Sequence, residues 1–510
     1  MNVILVYSDK NRRDNFSCYG PTRVRTPRLD RFARESCVFE NAYLGSFPTV
    51  PNRLDMMSGR FSFAEYEWCP LPDQTVTLQQ ILTASGFTTQ MIVDNPHLLE
   101  DGFNYGRGFL GFEWIRGQEG DHWKTAPRQV KLPGNPKKNR SFYTAFTAYM
   151  RNTSWWRCEE DHFAPRTILA ACDWLNQNAS EGPFFLYLDL FDPHEPWDAP
   201  EHYLRLYEEP GYHGEEAIFP HYDFWRDFLT FDELNHIRNL YRAEVSMVDH
   251  WFGVLLDKVA ELGLEEDTAV IFVSDHGHLF GEHGIAGMSL IEQTEEGDWY
   301  EAVPMYSELR RIPLMIRLPG QKAGRRIKGL VQTPDLMPTI LELAGVVTSE
   351  GLSGREAIQA LQCGVFTTRH WRFEPASLHG RSLVPLLTGQ AERVRDIAVC
   401  SNTIIRHSPI IAKCAVVIED GWALHYAGSY DRPAFGGTMY VNKIIDPAGA
   451  RISTAPELYH LAEDPGEMHD CIDENVPLAR EIHARYVAFL EEIGTPAKHL
   501  AGRRDLGLVE

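Results

Sequence analysis

The run Ala269-Val270-Ile271-Phe272-Val273-Ser274-Asp275-His276-Gly277 decides how the chain is read. Its first five residues are apolar without interruption. A strand of that kind suits a sheet covered on both faces, as in a parallel sheet between helices. A polar Asp-His pair follows at its carboxyl end, and Gly277 closes the segment. The same construction recurs along the chain. Residues 3–7 lead into Ser8-Asp9-Lys10, residues 87–93 into Asp94-Asn95-Pro96-His97, and residues 184–190 into Phe191-Asp192-Pro193-His194. Residues 313–316 form a further apolar run.

Helical patterns separate these runs. Thr26-Pro27 opens one that places Leu29, Phe32 and Ala33 on a single face. A second starts near Val76 with Leu78, Ile81 and Leu82 inward and stops at Gly86. The longest covers about 231–262, and another runs from Thr333-Pro334 to Gly345. Strands alternating with helices predict an α/β fold with a mostly parallel central sheet flanked by helices. Ligands of such sheets sit beyond the carboxyl ends of the strands. Asp9, the 94–97 turn, Asp192, His194, Asp275 and His276 are therefore expected to converge.

The 510 residues carry a formal net charge of -22. That field disfavours nucleic acid and anionic membranes. No stretch approaches the roughly 20 apolar residues of a membrane span. The N-terminus reads as a strand that begins at once, not as a leader peptide. The nine cysteines are scattered and never spaced as CxxC, which argues against a disulfide framework and for the cytoplasm. Residues from about 100 to 165 read as a loop-like insertion, with Trp114, Trp123, Trp155 and Trp156 among basic residues. After about 395 the pattern changes to a hairpin (415–418 and 422–426) and a last helix (476–493). The expected organisation is a catalytic α/β domain over 1–394 and a smaller C-terminal α+β subdomain over 395–510.

Three segments carry chemistry. In Thr49-Val50-Pro51-Asn52-Arg53, Pro51 can open a helix with Thr49 at its N-terminus. Orphan N–H groups and the helix dipole favour an anion there, and Arg53 lies one turn on. Read alone, the segment is equally an ordinary cap beside a surface arginine. Asp275 and His276 suit one divalent cation, with Asp9 the natural third ligand. His194 and His97, each in a proline-fixed turn, are placed to protonate a leaving oxygen or hold a ligand oxygen. Either is also readable as a histidine bonded to a loop carbonyl.

Taken together, the segments resemble the sulfatase family of the alkaline-phosphatase superfamily, nearly end to end. TPRLDRFARESCVFENAY (26–43) resembles the lead-in to the nucleophile, and TVPNRLDMMSGRF (49–61) the nucleophile signature. FFLYLDLFDPHEPWDAP (184–200), the long segment 241–284 ending in SDHGHLFGEHG, RRIPLMIRLPG (310–320) and TPDLMPTILELAG (333–345) follow in family order. HGRSLVPLLTG (379–389) and ELYHLAEDPGE (457–467) complete the set. The resemblance implies an alkaline-phosphatase-like core and one divalent metal on Asp9, Asp275 and His276, with Thr49 as nucleophile and metal contact. It also implies that Arg53, His97 and His194 touch the transferred group or the leaving oxygen. Asn52, Asn95 and Lys10 are expected at the substrate.

Three departures shape the expected reaction. The family's cysteine or serine, normally oxidised to formylglycine, is Thr49, so no formylglycine is expected. The family's two substrate lysines are replaced near Asn95 and Met288. The second aspartate after Asp9 is Lys10. A threonine sulfate cannot collapse by C–O cleavage as a formylglycine sulfate does, whereas a threonine phosphate is cleared by water attack at phosphorus. The expectation is a metal-dependent hydrolase of a small anionic ester, a phosphoester or phosphodiester or a phosphonate monoester in preference to a sulfate. The alternatives are a sulfuric ester hydrolase and a degenerate anion-binding protein without turnover. The metal is manganese, zinc, iron or calcium, and the sequence leaves homo-oligomerisation open.

Overall fold

The computed structural model describes residues 1–208, 211–294, 297–348, 351–352, 378–405, 413–428, 452–453 and 455–508. Eight strands form the central sheet: β1 (Asn2–Ser8), β2 (Cys37–Tyr43), β3 (Thr88–Val93), β4 (Gly111–Trp114), β5 (Phe184–Leu190), β6 (Thr268–Ser274), β7 (Leu314–Arg317) and β8 (Arg325–Gln332). Their order is β8-β2-β7-β6-β1-β5-β3-β4. Every pairing is parallel except those of β7, which runs antiparallel to β2 and β6. The expected α/β sheet is present, and the 313–316 run supplies its one reversed strand.

Continuous apolar strands arise because both faces are covered. Val3, Leu5 and Tyr7 of β1 enter one core, and Ile4 and Val6 enter the other. In β5, Phe185 and Tyr187 face the first core, while Phe184, Leu186 and Leu188 face the second. Each such fully buried aliphatic side chain stabilises the fold by about 1.5–3 kcal/mol. On the second face pack α1 (Pro27–Arg34), α4 (Phe163–Asn178) and the 31-residue α5 (Phe231–Glu261). A capping box between Thr230 and Glu233 starts α5. On the first face lie α2 (Thr49–Ser58), α3 (Leu78–Ala84) and α6 (Leu336–Leu343).

A second sheet joins β9 (Ile397–Asn402), β10 (Cys414–Ile418), β11 (Trp422–Tyr426) and β12 (Glu457–His460), with α7 (Val476–Glu492) packed against it. Its fifth strand comes from far upstream: Ser46–Phe47 runs parallel to Ser401–Asn402. The segment entering residue 49 is thereby fixed by the C-terminal sheet. The 100–165 region is more ordered than a loop. It contributes β4 at the sheet edge and a helix over Ala145–Thr153. Its polar surface hid both elements from a reading of apolar runs. No helix among the described residues is long and apolar enough to cross a membrane.

Candidate active site

Strands β1 and β6 are neighbours in register, Ser8 opposite Ser274. Asp9 and Asp275 therefore leave the sheet side by side. Asp9, Asp275 and His276 are wholly buried, and one ligand atom from each lies within 4.8 Å of the others. The His276 ring is oriented by its own turn, since Nδ1 donates to the carbonyl of Gly277 at 2.8 Å. Nε2 is left with a lone pair, the form in which imidazole binds a metal. Thr49 Oγ1 lies 3.4 Å from that nitrogen.

Thr49 is the first residue of α2, whose ten residues are all buried. Pro51 supplies the preset backbone of the first turn, and Gly59, at φ 65°, ends the helix in the left-handed region. Asp55 ties the helix to its surroundings by accepting from Ser46 N at 2.7 Å and Ser62 N at 2.6 Å. Asn52 accepts from Tyr7 Oη at 2.7 Å and donates to the carbonyls of Ser46 and Asp275 and to Thr333. Its amide holds α2 against the strand ends. Asn52, expected at the substrate from the sequence, makes these contacts within the protein.

Arg53 is also turned inward. Its Nε and Nη2 meet Asp189 at 3.0 and 2.9 Å, Nη2 stands 3.1 Å from Asp9, and Nη1 meets Asp275. Asp189, inside the apolar run of β5, escaped the sequence reading. An aspartate in a strand otherwise buried on both faces was its signal, because a buried charge needs a partner. Three buried carboxylates thus face one guanidinium. Burial and the neighbouring Asp275 push the Asp9 carboxyl well up, and neither of its oxygens accepts a hydrogen bond. With all three carboxylates ionised the deficit is two charges, that of one divalent cation, and a donor set of carboxylates, an imidazole nitrogen and an alcohol fits such an ion. Asp9, Asp275 and His276 would hold it, with Thr49 alongside.

Lys10 stands at φ 55°. Its ammonium lies 2.9 Å from Glu195 and bonds Tyr222, and its backbone N–H donates to Asp275 at 3.0 Å. Glu195 also receives Arg140 at 2.9 Å. Arg140 reaches Glu119 at 2.9 Å, and Glu119 meets His97 Nε2 at 2.8 Å. Glu119 and Arg140 come from the insertion and were not singled out from the sequence. His97 is partly exposed, with its ring against Trp68 and Phe191. His194 stacks on Phe191 and donates from Nδ1 to the carbonyl of Glu195 at 2.7 Å. Burial pulls its pKa down to about 3, so at neutral pH the ring is uncharged and Nε2 is an acceptor. Asn95 accepts from His97 N at 3.1 Å and donates to Asp189 at 3.4 Å. Asp94 and Asp192 do not join the site. They bind Thr167 and Phe191 N, and Gln118 and Ala164 N.

A mostly parallel sheet with acidic residues and a helix-borne alcohol at its carboxyl edge defines an alkaline-phosphatase-like hydrolase. The sulfatase family profile matches residues 1–346, and the chain belongs to the sulfatase family. An arylsulfatase of Clostridium perfringens is 24% identical over 396 residues, covering 70% of this chain and 78% of its own. A multifunctional alkaline phosphatase superfamily protein of Trinickia caryophylli is 26% identical over 435 residues, covering 73% and 79%. Among solved structures, the phosphonate monoester hydrolase of Agrobacterium radiobacter superposes with a TM-score of 0.65 at 17% identity, covering 96% of both chains.

Proposed function

We propose that this hydrolase cleaves small anionic phosphoesters, phosphodiesters or phosphonate monoesters, with unmodified Thr49 as its nucleophile. The observation that carries the reading is the Thr49 hydroxyl, at the first residue of a buried helix and 3.4 Å from His276 Nε2. The helix start favours negative charge on that oxygen. A divalent cation on Asp9, Asp275 and His276 supplies Lewis-acid stabilisation of oxyanions when bound.

Thr49 Oγ1 gives up its proton to solvent and attacks phosphorus, and the bond from phosphorus to the leaving oxygen breaks. His97, held by ionised Glu119, gives the leaving oxygen its proton. Water then attacks the threonine phosphoester at phosphorus, the bond from phosphorus to Thr49 Oγ1 breaks, and that oxygen takes up a proton from solvent. His194, neutral with an acceptor at Nε2, is suited to hold that water by a hydrogen bond, and His97, left without its proton by the first step, takes the proton of the water. Asn95 and the Lys10–Glu195–Arg140 chain position these two imidazoles. Arg53 holds Asp9, Asp189 and Asp275 together.

Phosphorus is favoured over sulfur because an alcohol ester of sulfate lacks the release route that formylglycine provides. The competing reading, sulfuric ester hydrolysis, draws on the similarity to the clostridial arylsulfatase. Purified protein, stripped of metal and reloaded separately with manganese, zinc, iron or calcium, should be assayed on bis(4-nitrophenyl) phosphate, 4-nitrophenyl phenylphosphonate and 4-nitrophenyl sulfate. The phosphorus esters are expected to show the higher kcat/KM. Faster sulfate turnover would overturn the reading.

A further inference from the structure

The loop that places Glu119 on His97 continues for only a few residues before it reaches Trp123 and Lys124. Five residues span at most about 18 Å, so the backbone that carries these side chains stays within that reach of Glu119. Asn152 fixes the loop, donating to the carbonyls of Gly117 and Asp121 and accepting from Lys124 N. The Lys124 ammonium stands 4.4 Å from the ring centre of Trp123 and 4.6 Å from that of Trp155. Arg166, from α4, faces the same two rings at 5.7 and 5.6 Å.

Aromatic faces attract cations, so each contact alone is ordinary. The set is not, because two cations share the same pair of rings. Arg166 donates to the carbonyl of Arg116, and neither cation forms an ion pair with a carboxylate among the described residues. The chain as a whole carries net charge -22, so carboxylates to neutralise them were abundant. The indole N–H of Trp155 also lacks an acceptor, and a buried donor left so costs free energy.

The geometry points to an anion-binding subsite formed by Lys124, Arg166, Trp123 and Trp155, which takes a carboxylate or comparable second negative charge on a ring-bearing leaving group. This rests on the active-site reading above, and it names the class of leaving group: an anionic aromatic or cyclic alcohol.

The test uses two phenylphosphonate monoesters that differ by one charge, those of 4-hydroxybenzoate and 4-hydroxybenzamide. The wild-type protein is expected to show the lower KM for the hydroxybenzoate ester. Lys124→Met combined with Arg166→Gln should raise that KM by about tenfold, the scale of a lost hydrogen bond to a charged group. The same variant should leave kcat, and the KM of the benzamide ester, unchanged. Arg166→Lys should keep the preference. Calorimetric titration of both esters into Thr49→Ala protein reads the subsite without turnover, so it separates failure here from failure of the proposed chemistry. Equal affinity for the two esters, or an equal loss for both in the double variant, would overturn the assignment.

Discussion

At residue 49 the side chain is an alcohol where the family's signature usually carries a residue that becomes formylglycine. The reactivity proposed for it would come from position: the start of α2, the lone pair of His276 and the carboxylates of Asp9 and Asp275. Thr49→Ala is expected to lower kcat by about 10³-fold or more, with circular dichroism and Tm unchanged, while Thr49→Ser retains measurable turnover. Asp275→Asn should weaken divalent-metal affinity by about 10–100-fold or more, the scale for lost support around metal ligands, read by titration into metal-free protein. Among the site residues, Asp9, Thr49, Asp275 and His276 were readable because each directly follows a strand or opens a helix. Asp189 was not, since it lies within an apolar run. Glu119 and Arg140 were not, since they reach the site only through the folding of a polar insertion.

Between β5 and α5 lies a cluster of carboxylates that forms no ion pair among the described residues. Asp192 and Asp198 follow β5, and Glu244 stands on α5. Glu244 accepts from Asp198 N at 2.8 Å, and Asp198 accepts from Tyr149 Oη at 2.7 Å. Burial, with Asp192 adding to it, pushes Asp198 up to about 7, against about 3.9 in an unfolded chain. Across that interval the folded state binds more protons, so stability falls as pH rises from about 4 to 7. Asp198→Asn should raise Tm at pH 8 and change it progressively less toward pH 4. An equal shift at both ends would show that the carboxyl does not titrate in this window. The elements themselves differed in how plainly they could be read. β1, β5 and β6 were legible as unbroken apolar runs. β4, with Phe112 and Glu113 exposed at the sheet edge, and β8, with Arg325, Arg326 and Lys328 exposed, lacked that signature.

For the whole molecule, the junction between the central sheet and the C-terminal sheet is ionic at its centre. Arg310 meets both oxygens of Glu467 at 2.6 and 2.8 Å, and His425 of β11 lies 3.0 Å from the same carboxylate. All three are buried. Removing one partner leaves a charge uncompensated, so Glu467→Gln should cost about 3–5 kcal/mol in urea unfolding. The C-terminal sheet is part of the frame of the candidate site, because it takes Ser46–Phe47 as its last strand and so fixes the approach to Thr49. That pairing joins residues more than 350 apart in the chain, a non-local contact that no local pattern could announce.

The central claim is that the threonine alcohol itself forms the bond to phosphorus. Wild-type protein mixed with bis(4-nitrophenyl) phosphate, quenched in acid within the first turnovers and digested for peptide mass spectrometry, tests it directly. A phosphoester adduct confined to Thr49 and absent from Thr49→Ala is expected. Turnover with residue 49 unmodified throughout, or a residue 49 already oxidised before substrate is added, would contradict it.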